Sequence, residues 1–127
     1  MIETYQYFTP EELECSCGLC VPRPMDHQFM LRIMALRIAC GFPLPVSSAH
    51  RCPIHNNNVS STGFNGPHTT AKAIDLEVSG EKTHILLGHA VPMGFTGIGI
   101  SQKGPHGSRF IHLDDIVGHS RPRVWSY

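Results

Sequence analysis

His68, Asp75 and His112 are the residues of this chain whose types and placement suit chemistry at a metal ion. Seven positions separate His68 from Asp75. The histidine falls in a polar stretch, and the aspartate falls inside Ala73-Ile74-Asp75-Leu76-Glu77-Val78, whose alternation reads as a strand. A carboxylate flanked by Ile74 and Leu76 needs a charge partner if it faces inward. On a two-residue period Asp75 shares a face with Ala73 and Glu77, so this spacing alone also allows a solvated side chain. The segment Phe110-Ile111-His112-Leu113-Asp114 repeats the pattern, with His112 and Asp114 on one side and Ile111 and Leu113 on the other. Neighbouring antiparallel strands lie about 4.8 Å apart, so Asp75 and His112 on adjacent strands can converge on one ion, with His68 arriving from the loop. Two nitrogens and one carboxylate oxygen suit zinc, and three protein ligands leave a fourth position for water.

The elements that must position these groups are legible in outline. Thr9-Pro10-Glu11-Glu12 reads as a helix start, with Thr9 as N-cap, Pro10 in the first turn and Glu12 closing a capping box. A second helix is expected from about Met25 to Cys40. Phe29, Ile33, Leu36 and Cys40 recur at helical spacing, and Met30, Met34 and Ile38 widen the apolar face. Asp26 suits its first turn and Gly41 its C-terminal stop. Val46-Ser47-Ser48 follows two prolines as a short strand, and His50 to Thr70 reads as a long polar loop, a length usually tied to function or disorder. A helix over Glu81–Ala90 comes next, then strands at Gly97–Ser101 and Arg109–Asp114, with an edge strand at Arg123–Tyr127. The expected fold is one α+β domain over residues 1–127, its N-terminal helices packed on a small antiparallel sheet.

Composition narrows the classes. The chain has 127 residues, 41% hydrophobic and 16% charged, which supports a buried core. With its nine histidines neutral the net charge is zero, so the basic field of a nucleic-acid binder is missing. No apolar run reaches the roughly 20 residues of a membrane helix, and Met1-Ile2-Glu3-Thr4-Tyr5-Gln6 carries no visible signal peptide. Neither nucleic acid nor membrane is therefore an expected partner, and a monomer is expected. Five cysteines, Cys15, Cys17, Cys20, Cys40 and Cys52, cannot all pair within one chain. Cys-Ser-Cys-Gly-Leu-Cys can form a zinc knuckle, but it supplies only three ligands, and reduced thiols in a tight turn at Gly18 are the simpler reading.

Four blocks in order resemble a known family. Phe8-Thr9-Pro10-Glu11-Glu12-Leu13-Glu14-Cys15-Ser16-Cys17-Gly18 is similar to the N-terminal segment of the zinc D-Ala-D-Ala carboxypeptidases and murein endopeptidases, peptidase family M15, whose metal site is shared with hedgehog. Ser47-Ser48-Ala49-His50-Arg51-Cys52-Pro53-Ile54-His55-Asn56 is similar to their Ser-x-x-Arg-x-x-x-His-Asn block. Pro67 to Asp75 resembles their His-x-x-Gly-x-Ala-x-Asp block, and Gly97-Ile98-Gly99-Ile100 with Phe110–Asp114 resembles their final strand pair. The resemblance spans nearly the whole chain and implies a zinc site at His68, Asp75 and His112. It also implies a peptidoglycan peptide as substrate, in wall remodelling or phage lysis, and a substrate-binding role for Arg51, whose guanidinium can fork a carboxylate. Three positions depart. Gly66 stands where the family has serine, Ala71 where it has glycine, and Arg109 where many relatives carry an acidic general base.

The base must then come from elsewhere. Asp114, beside His112 on the strand, is the first candidate, with orientation of that histidine as its other role. His106, in Gly104-Pro105-His106-Gly107, is the second, against the plain reading of an exposed loop histidine. His55 and Asn56 read as loop-stabilising, and His27, His84, His89 and His119 as surface or helix residues. A rival function is a non-catalytic zinc-containing module that binds peptide or cell wall, which Arg109 favours. A structural zinc protein built on the cysteines alone has little support.

Overall fold

The computed structural model describes residues 5–20, 23–118 and 120–127, so the readings that fall on Met1–Thr4 and on His119 lie outside the described residues. Helix α1 is Pro10–Leu13, and its capping box is complete: Glu12 N–H donates to Thr9 Oγ1 at 3.2 Å and Thr9 N–H to Glu12 Oε1 at 2.9 Å. Helix α2 is His27–Cys40, started by Asp26, which accepts from Phe29 N–H at 3.0 Å, and stopped by Gly41 at φ 75°, a left-handed conformation that costs glycine little. Its inner stripe is Phe29, Met30, Ile33 and Leu36, all fully buried. Met34 and Cys40 pack at its margin and Ile38 is exposed, so the buried face is narrower than the sequence pattern suggests.

Strand β1, Val46–Ser48, leads into helix α3, Pro53–Val59, and then single helical turns at Gly63–Asn65 and Pro67–Thr70. The stretch expected to be a long loop is therefore largely short helix. Asn56, at the centre of α3, is fully buried and donates to Thr62 Oγ1 and the Gly63 carbonyl, which holds the second half of the stretch against the first. Strand β2 (Ala73–Leu76), helix α4 (Glu81–Ala90), strands β3 (Gly97–Ser101) and β4 (Phe110–Asp114), and strand β5 (Arg123–Ser126) complete the chain. Among the described residues no helix is long and apolar enough to cross a membrane.

The sheet order is β1-β2-β4-β3-β5, and it is mixed rather than antiparallel. The first four strands pair antiparallel, but β5 runs parallel to β3. The reason is topological. Both edges of β4 are already taken by β2 and β3, so the chain leaving β4 crosses to the far side of β3 and arrives in β3's own direction. One face of the sheet sends Ile74, Leu76, Ile98, Ile111 and Leu113 into the core against α2 and α4. The register aligns Ser48, Asp75, His112, Gly99 and Trp125 in one row across all five strands, and Ala73, Asp114, Gly97 and Arg123 in the next. The polar groups of the opposite face are thus stacked side by side.

Candidate metal centre and cleft

Asp75 and His112 are direct partners across β2 and β4, and the turn Pro67–Thr70 brings His68 over them. All three are buried, and one ligand atom from each lies within 4.8 Å of the others. His68 Nε2 is 3.2 Å and His112 Nδ1 is 3.0 Å from Asp75 Oδ1. Donors about 2.0–2.2 Å from a tetrahedral ion lie about 3.3–3.6 Å from one another, so the slightly closer spacing here is compatible with a single zinc-sized cation.

The hydrogen bonds behind the ligands support the same reading. His68 Nδ1 meets the Ala49 carbonyl at 2.6 Å, and a carbonyl can only accept, so the proton is on Nδ1. Nε2 is then the nitrogen that faces the Asp75 carboxylate, the position from which it would ligate a cation shared with that oxygen. His112 Nε2 donates to Asp114 Oδ2 at 2.8 Å, which leaves Nδ1 for the centre. Carboxylate and carbonyl partners of this kind orient histidine ligands and raise their basicity. Burial alone would raise the Asp75 carboxyl, but the imidazoles of His112 and His68 hold it well below the ordinary carboxylate range. Burial would lower His112, and the carboxylates on its two nitrogens raise it instead.

Asp114 is fully buried and saturated. Arg121 forks it, Nε to Oδ1 at 3.0 Å and Nη2 to Oδ2 at 2.9 Å, and Ile116 N–H adds a donor at 3.3 Å. Burial would raise this carboxyl, but His112 and Arg121 bring it down to about 2. The glycines of β3 make room for this layer. A Cβ on Gly97 would collide with the Asp114 carboxylate, and one on Gly99 would sit 2.7 Å from Trp125 Nε1. With Gly99 bare, the Trp125 ring reaches within 5.1 Å of the His112 ring.

The centre lies in a cleft of about 820 Å³ whose walls include Arg51, Thr62, Arg123, Trp125 and Tyr127. Arg51 stands 3.7 Å from Asp75 Oδ2 and donates to Ser48 Oγ at 3.0 Å and Asn56 Oδ1 at 3.1 Å. It therefore both faces the cleft and pins α3. Neither His106 nor Arg109 lines the cleft. His106 is exposed with its ring 3.5 Å from Ser79 Oγ, and Arg109 donates to the Gly104 carbonyl at 3.0 Å. His106, the second candidate for the base, thus stands outside the cleft lining. His55 meets Ser16 Oγ at 3.1 Å, a loop contact as expected, while His27 and His84 are exposed and His89 is half-buried.

Two departures from the family pattern fall at conformationally restricted positions. A Cβ at Gly66 would collide with Thr62 Oγ1 and lie 2.6 Å from Asn56 Nδ2, so serine has no space there. Ala71 sits at φ 61°, the left-handed region where glycine is the easier occupant. Arg121 and Trp125 carried no signal in the sequence, since each reaches the site only through the crossover of β5.

A sheet-borne cluster of two imidazoles and a carboxylate in an open cleft is compatible with the metal site of a metallopeptidase. The Peptidase M15 family model matches residues 6–114, and the chain belongs to that family. No curated protein matches the chain.

Proposed function

We propose that the protein is a zinc peptidase that hydrolyses peptides of peptidoglycan, with His68, Asp75 and His112 as the ligands. The observation that carries this reading is the convergence of those three buried donors at the floor of the cleft. A zinc ion held by His68, Asp75 and His112 would supply an activated water and polarise the scissile carbonyl. Arg51 and Arg123 give the cleft wall two cations that suit a peptide with free carboxylates, which stem peptides carry, and Trp125 and Tyr127 offer apolar surface beside them.

In this reading Asp114 positions His112 and does not act as the base. Its oxygens are occupied by Arg121 and His112, and it is shut off from the cleft. Among the described residues, the cleft walls hold no carboxylate or imidazole beyond the three ligands. That observation favours the second reading, a zinc-containing module that binds wall peptides without cutting them. Incubation with purified peptidoglycan, with and without chelator, and mass analysis of the fragments tests the proposal. Chelator-sensitive release of peptide fragments is expected, their masses distinguish carboxypeptidase from endopeptidase cleavage, and retention on peptidoglycan with no fragments released identifies the binding module.

A further inference from the structure

Cys15, Cys17 and Cys20 come together in one turn, and the fold brings Cys52 to them from the start of α3. One sulfur from each of the four lies within 4.8 Å of the other three. Cys17 Sγ and Cys52 Sγ are 3.8 Å apart. Four sulfurs about 2.3 Å from a tetrahedral zinc lie about 3.8 Å from one another. We propose that these four cysteines form a second, structural zinc site, separate from the centre on the sheet.

Three further observations point the same way. Backbone N–H groups are aimed at the sulfurs: Leu19 to Cys17 at 3.4 Å, Cys52 to Cys15 at 3.3 Å and His55 to Cys52 at 3.4 Å. Such donors stabilise thiolates, the form that binds metal. Gly18, at φ 71°, makes the reversal that returns Cys20 toward Cys17. The four side chains are only half-buried and Leu19 is almost wholly exposed, so hydrophobic burial does not explain why the thiols gather. A polynuclear iron–sulfur cluster would hold its cysteine sulfurs farther apart than a single ion does. Four protein ligands close the coordination shell and leave no place for water, which makes the site structural. Binding releases the thiol protons to solvent. The ion would fasten the 15–20 turn to the residue that follows Arg51, and so hold one wall of the cleft.

The proposal rests on the sulfurs alone and stands apart from the peptidase reading. Metal analysis of the purified protein should find two zinc ions per chain. His112→Ala should keep one, and Cys52→Ser should keep the other. If Cys52→Ser does not fold, the His112→Ala protein decides by itself: loaded with cobalt, it should show the intense near-ultraviolet charge-transfer band of thiolate ligation, and the four clustered thiols should resist a thiol reagent until chelator is added. A single zinc ion lost entirely in His112→Ala overturns the proposal. So does iron in place of zinc, or disulfides among the four cysteines by mass under non-reducing conditions.

Discussion

The sheet cluster and the cysteine cluster hold their donors by opposite means. His68, Asp75 and His112 are buried, and two of them are register partners on strands whose other face is the hydrophobic core. Their geometry follows from a sheet that forms for reasons unrelated to metal. Cys15, Cys17, Cys20 and Cys52 are half-exposed and sit on turns and a short helix start, with little apolar packing to keep them there. A preformed site with three ligands can give its metal a chemical task, whereas a closed site with four ligands uses the metal as a fastener. Loss of the ion should therefore have different consequences at the two places.

The largest expected effect is at the sheet. His112→Ala should reduce turnover on peptidoglycan to background while circular dichroism shows the fold retained, because the core face of β4 is untouched. A variant that cuts normally, or that retains both metal ions, would break the assignment. Chelation of the wild-type protein comes next. It should lower the melting temperature without unfolding the domain at room temperature, by far less than the on the order of 10 kcal/mol that zinc gives a small finger, since α2 and the sheet carry the core. Cys52→Ser should be less stable at the outset and show a smaller chelator effect than His112→Ala. The reverse ranking would make the sheet ion the fastener.

Asp114→Asn sharpens the comparison within the sheet site. It should weaken zinc there by about 10–100-fold, with excess zinc restoring the rate. Turnover lost by roughly 10²–10⁴ at saturating zinc would make Asp114 the base after all. The smallest effect is at Ala71, whose left-handed backbone favours glycine. Ala71→Gly should change stability by about 1 kcal/mol or less in denaturant titration, because relief of strain is offset by a more flexible unfolded chain. A loss of several kcal/mol would show that the Ala71 methyl, which is buried in the core, matters more than its backbone strain.

Much of the frame was legible because it depends on short-range patterns. The capping box at Thr9, the stripe of α2, Gly41 and the alternation around Asp75 and His112 each declare themselves within a few residues. The helix after His50 is not legible in the sequence because α3 has no amphipathic signature; Asn56, its buried residue, is polar and is satisfied by contacts later in the chain. The parallel direction of β5 is not legible in the sequence because it depends on which sheet edge is free, a property of the assembled sheet.

The sequence by itself determined the donor types of both clusters and put Asp75 and His112 on strand positions of matching face, since a two-residue period is a local property. Only the tertiary structure decided which donors meet. Cys52 joins Cys17 from 35 residues away, Arg121 closes on Asp114, Trp125 leans over Gly99 toward His112, and His106 meets Ser79. Each of these depends on a chain crossing or a loop path, which the packing of the whole domain selects and no local preference encodes.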